Sequence, residues 1–121
     1  LYATAVSCTG DTIPPLLEEM SQLLGGEIFC TQHYVPAAEH VNLGKVTAAA
    51  IQDKNAVLIK NHGPVCCGKD LEEAQTVCRV LEKCAQIYMH LRETGRYESI
   101  PRQYVASERY RYVNTYGKEA T

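Results

Sequence analysis

Apolar positions fall in two patterns along the chain, helical spacing and short continuous runs, and each pattern predicts its own kind of element. Thr12, Pro14 and Pro15 are followed by Leu16, Leu17, Met20, Leu23 and Leu24 at helical spacing, which predicts a helix over 12–24 that Gly25-Gly26 stops. Residues 27–30 read as a short strand. Residues 39–54 carry Leu43, Val46, Ala50 and Ile51 on one side and read as a helix. The run 55–60 has the continuous apolar middle of a buried strand, and Asn61-His62-Gly63-Pro64 after it is loop chemistry. Residues 65–67 predict another short strand before Gly68.

The clearest element begins at Asp70-Leu71-Glu72-Glu73. Asp70 is placed to accept from the first free amides of a helix and Glu73 to reach back, a capping box. Leu71, Ala74, Cys78, Leu81, Ala85 and Tyr88 then recur at steps of three and four, lining one face to about Leu91. The stripe spans barely three heptads, so packing against a sheet is expected and a coiled-coil seam is not. A last helix is expected over 101–116. The chain is therefore α/β and reads as one domain, yet its helices outnumber its strands: three short strands are few to cover the apolar faces of four helices.

The length of 121 residues suits one core. A hydrophobic content of 45%, a charged content of 21% and a net charge of −2 argue against disorder and against an electrostatic preference for nucleic acid. Arg102, Arg109 and Arg111 interleave with Tyr104, Tyr110, Tyr112 and Tyr116, as in single-strand binding platforms, but Glu108 and Glu119 dilute the charge. No run reaches the ~20 apolar residues of a membrane span, and the first residues lack the pattern of a signal peptide. Neither a nucleic-acid nor a membrane partner is expected. The six cysteines include no Cys-x-x-Cys. Cys66 and Cys67 are adjacent, and Cys78 and Cys84 lie on different turns of one helix, so reduced, buried thiols in a reducing cytoplasm are expected.

His62 stands out among the histidines. It lies between a buried strand and a glycine, where a turning chain projects side chains into clefts. It is a candidate metal ligand, or else a hydrogen-bonded loop residue, because one imidazole makes no site: catalytic zinc takes three protein ligands and an open position. His33 and His40 are seven residues apart across Pro36 and read as structural, as does His90, expected at the end of the long helix.

Residues 57–64 followed by Gly68-Lys69-Asp70-Leu71-Glu72-Glu73-Ala74 resemble the third metal-binding motif of the class II aldolase/adducin family, and Ala3-Thr4-Ala5 resembles the segment directly after that family's His-x-His pair. Val35-Pro36-Ala37 and Asn114-Thr115-Tyr116-Gly117 fit in the same order, so the resemblance covers nearly the whole chain. It is greatest to L-fuculose-phosphate aldolases and L-ribulose-5-phosphate 4-epimerases. The resemblance implies a three-layer α/β/α sandwich, a homotetramer, and a divalent metal, usually zinc, held by three histidines of which His62 is the third. It implies that Tyr116 assists proton transfer in a neighbouring subunit, the alternative being a tyrosine packed at an interface. The substrate would be a sugar phosphate, cleaved through a metal-stabilised enediolate.

The family's helical tyrosine would fall near Glu18 and the epimerase aspartate near Gln22, and neither matches. The particular sugar therefore stays open, as does the choice between aldolase, epimerase and a related dehydratase of methylthioribulose phosphate. An adducin-like binding module, without the metal histidines, is a further alternative against which His62 argues. The other ligands, a catalytic carboxylate and the phosphate loop would precede Leu1, which stands where an initiator methionine is expected. The chain is thus read as the C-terminal portion of such a domain, expected by itself to bind zinc poorly and not to turn over.

Overall fold

A computed structural model describes residues 1–114. Helix α1 spans Tyr2–Ser7, α2 His40–Ile51, α3 Leu71–Thr94 and α4 Arg102–Asn114, and strands β1 (Ala56–Ile59) and β2 (Gly63–Cys66) form an antiparallel pair. One further π-helical segment runs from Met20 to Leu24. The protein is α/β, with helices around a small sheet. None of its described helices is long and apolar enough to cross a membrane.

Extended chain flanks the sheet without forming full strands. Leu58 donates to the Phe29 carbonyl and accepts from the Thr31 amide, both at 2.9 Å, so the segment expected as a strand at 27–30 lies parallel to β1 through one bridge at Cys30. Ile28 in turn exchanges two 2.9 Å bonds with Ile13. This pairing corrects the expected helix over 12–24. Ile13 precedes a proline, which disfavours helical backbone, and Pro14 and Pro15 have no amide to donate, so helix begins only beyond them. Its last bond runs from the Gly25 amide to the Met20 carbonyl, five residues back, and Gly25 closes the segment at φ 97°.

Other expectations shift. The second strand is 63–66 rather than 65–67, because Gly63 pairs with Ile59 directly across a three-residue turn. Asp70 does cap α3, accepting from the Glu73 amide at 2.8 Å, while the Glu73 carboxylate reaches past Asp70 to the Lys69 amide at 3.1 Å. The buried face of α3 is Val77, Val80, Leu81, Cys84, Ala85 and Tyr88, rotated from the expected stripe: Leu71 and Cys78 are exposed. The helix also runs one turn beyond Leu91, to a left-handed Gly95, and His90 is exposed before its end. All six thiols are free, as expected, but only Cys30 and Cys84 are buried.

The core lies where α1, the π-helical segment and α3 meet β1. Val6, Ile13, Met20, Leu24, Ile28, Leu58, Val77 and Cys84 are fully buried there. Helix α1 is only six residues long and is anchored by α3: the Glu82 carboxylate accepts from the amides of Tyr2 at 3.0 Å and Ala3 at 2.8 Å, supplying the partners that a helix N-terminus lacks. Helix α2 buries no residue completely, although Leu43, Val46, Ala50 and Ile51 are half-buried on the expected side.

Candidate functional site

The turn joining β1 to β2 holds His62 at its tip. Residues 60–62 close the hairpin, with the His62 amide donating to the Ile59 carbonyl at 2.9 Å. Asn61 takes a left-handed φ of 63°, a conformation asparagine tolerates better than most side chains. Gly63 has φ 134°, and a Cβ there would stand 3.1 Å from Thr4 Oγ1, so α1 lies directly against the turn. Asn61 adds a bond from its amide to the Ser7 carbonyl at 3.2 Å. Helix α1 thus braces one side of the turn.

The 31–35 segment braces the other side. Lys60 donates its amide to Thr31 Oγ1 at 2.9 Å and its ammonium to the Gln32 carbonyl at 3.3 Å. Next along the segment, the Tyr34 ring stacks on the His62 imidazole, with centroids 5.4 Å apart and planes 14° from parallel. The Val35 carbonyl lies 2.8 Å from His62 Nε2. A carbonyl only accepts, so Nε2 carries a proton and donates it, which leaves Nδ1 as the ring nitrogen that can offer a lone pair. The imidazole is exposed yet doubly oriented.

These contacts suit a metal-binding histidine, whose second nitrogen is commonly held by a backbone carbonyl. They do not complete a site. Among the described residues no three His, Cys, Asp or Glu side chains come together to hold a metal ion. His33, His40 and His90 are exposed and join no such group. Tyr116 lies outside the described residues.

Tyr34 and the Val35 carbonyl were not legible as site groups beforehand. Val35-Pro36 marks extended chain, but nothing in its spacing announces a contact with residue 62.

Helix α4 carries the second concentration of polar groups, and they turn inward. Arg109 donates to the Gln22 carbonyl and, at 2.9 Å, to Asn55 Oδ1, and its guanidinium lies 5.9 Å from the Tyr112 ring centre. Gln22 answers with a 2.9 Å bond to Glu108. Gln22, the position where the epimerase aspartate would fall, is therefore engaged in holding α4. Burial and a hydrogen bond to Glu73 push the Tyr112 phenol above its ordinary range. Between α4 and residues 12–29 lies an open groove of about 890 Å³, with Lys54, Tyr97, Arg102 and Tyr110 on its walls.

Comparison with known proteins shows the family of the chain. Residues 1–89 match the family model described as the class II aldolase and adducin N-terminal domain. The L-fuculose phosphate aldolase of Methanocaldococcus jannaschii is 38% identical over 63 residues, 51% of this chain and 35% of that protein. The enzyme of the same name from Escherichia coli K12 is 27% identical over 89 residues, 74% of this chain and 40% of that protein.

Among solved structures, an L-fuculose 1-phosphate aldolase superposes with a TM-score of 0.84 at 21% identity, covering 93% of this chain and 51% of that one. YgbL from Escherichia coli superposes with a TM-score of 0.70 at 26% identity, covering 90% and 53%. The chain thus spans between about a third and a half of the length of these relatives. The chain belongs to the class II aldolase and adducin N-terminal domain family.

Proposed function

We propose that this chain is the C-terminal portion of a metal-dependent aldolase domain that cleaves a ketose phosphate such as L-fuculose 1-phosphate. In this reading His62 is one ligand of a divalent cation such as zinc. Tyr116 transfers protons at a subunit interface of a cytoplasmic homotetramer, and the complete domain is a three-layer α/β/α sandwich. The observation that carries the reading is the His62 turn. A left-handed Asn61 and a close-packed Gly63 present the imidazole, while Tyr34 and the Val35 carbonyl fix its plane and proton. The names of the curated relatives support the reaction class.

When bound, such a cation supplies Lewis-acid stabilisation of charge developing on the substrate oxygens. The part of the described residues is to orient His62. The ring offers Nδ1 as it stands, and offers Nε2 only if the Val35 hydrogen bond is given up. One imidazole falls short of the three protein ligands of catalytic zinc, so the remaining donors lie outside the described residues.

The test is elemental analysis of the full-length polypeptide beside a cleavage assay on L-fuculose 1-phosphate. About one zinc per chain is expected, lost in His62→Ala together with turnover. Tyr116→Phe is expected to retain the metal and lower turnover. Metal kept at full occupancy by His62→Ala would overturn the ligand assignment, and interconversion of L-ribulose 5-phosphate without cleavage would move the activity to an epimerase.

A further inference from the structure

We propose that Glu82 is a positioning residue for His62, acting through α1; the inference rests on the reading of His62 as a metal ligand. Glu82 stands on α3, and its carboxylate closes the start of α1. It accepts from the Leu1 nitrogen at 2.7 Å, a donor as amine or as amide, and from the amides of Tyr2 at 3.0 Å and Ala3 at 2.8 Å. A helix of six residues makes few bonds of its own and is marginal alone, so its start is set by the group that accepts from its free amides. A carboxylate also suits that end of a helix electrostatically.

The body and far end of α1 meet the turn. The Ser7 carbonyl accepts from the Asn61 amide at 3.2 Å, and Thr4 Oγ1 would stand 3.1 Å from a Cβ on Gly63. Asn61 and Gly63 are the residues immediately before and after His62, so α1 holds the backbone of the turn on both sides of the imidazole. The ring itself is held from elsewhere. Tyr34 and Val35 belong to the segment that the Thr31 amide ties to the Leu58 carbonyl of β1 at 2.9 Å. Backbone held from the helix and ring held from the sheet agree only while α1 keeps its place along the turn. The helix rises about 6 Å from Ala3 to Ser7, so a displacement at its Glu82 end is carried to Asn61 through a single short rigid element.

The test uses the full-length polypeptide, labelled at histidine for nitrogen NMR, metal-free and in mildly alkaline buffer, with the His62 signals assigned by their absence in His62→Ala. The wild type is expected to show one tautomer, its proton on Nε2. Glu82→Gln keeps the size of the side chain but leaves one acceptor oxygen and turns N–H donors towards the helix amides. In this variant the two His62 nitrogens are expected to average towards a mixture of tautomers, and zinc affinity, measured by chelator competition, to drop roughly 10- to 100-fold. Arg109→Leu loosens α4 instead and controls for a general loss of stability; it is expected to leave both readouts unchanged. An unchanged His62 spectrum or zinc affinity in Glu82→Gln, or an equal change in Arg109→Leu, would overturn the proposal. Should Glu82→Gln not fold, Glu82→Asp, one methylene short of the same amides, is read in its place by the same outcomes. A wild type that binds no zinc overturns the reading of His62 as a ligand, whereas the metal-free spectra decide by themselves whether Glu82 positions the ring.

Discussion

Tyr88 and Cys84 show how single buried groups make this fold sensitive to alkali. The Tyr88 hydroxyl donates to Asp11 at 2.7 Å, and Arg92 pairs with the same carboxylate at 2.9 Å, tying the loop after α1 to α3. Burial first, then the bond to Asp11 and its charge, push the Tyr88 phenol from 10.0 up to about 12, and burial pushes the Cys84 thiol from 9.0 up to about 12. In both cases the folded state favours the neutral form. The stability it confers is complete below the unfolded value and is lost as pH rises through the folded one. The urea midpoint is thus expected to fall from pH 9 towards pH 12, with Tyr88 accounting for on the order of 1–2 kcal/mol. Cys84→Ala should flatten the early part of that fall and Tyr88→Phe the late part. A midpoint independent of pH over this range would refute the argument.

At the scale of elements, α4 depends on one side chain more than on its own surface. None of its residues is buried, and its apolar content does not gather on one face. What fastens it is Arg109, inserted between the Gln22 carbonyl and Asn55, with Glu108 held by Gln22 and Val105 against Gly26. Arg109→Leu removes charged hydrogen bonds and leaves the Gln22 carbonyl of the π-helical segment without this donor. A loss of about 1.5–3 kcal/mol is expected in urea unfolding, with amide exchange in α4 accelerated selectively. Unchanged α4 protection in that variant would show that packing, and not the arginine, holds the helix. The sequence marked Arg109 only as one of several basic residues among tyrosines. Its inward turn became visible with the position of Gln22, 87 residues away.

For the molecule as a whole, stability is concentrated on α3, β1, α1 and the π-helical segment, whose side chains share one core. Helix α2 stands outside it with no residue fully buried. Hydrogen exchange is therefore expected to divide the chain, with the amides of α2 opening well before those in the middle of α3. Equal protection in the two helices would contradict this division. The His62 turn lies between the two regimes: β1 anchors it in the core, while the 31–35 segment that orients the imidazole leads towards α2.

The local sequence by itself determined α3, β1 and the place of His62, because capping, an unbroken apolar run and an Asn-His-Gly turn are written in adjacent residues. The family motif was legible for the same reason. Only the tertiary structure decided the state of 12–17, where helical periodicity yielded to two prolines and to pairing of Ile13 with Ile28. It also decided which face of α3 is buried, since the expected stripe and the observed one differ by a rotation that only the neighbouring α1 and sheet select. The contacts of His62 with the Tyr34 ring and the Val35 carbonyl belong to this second class. They join residues on different elements, and no spacing along the chain encodes a contact made by folding one element onto another.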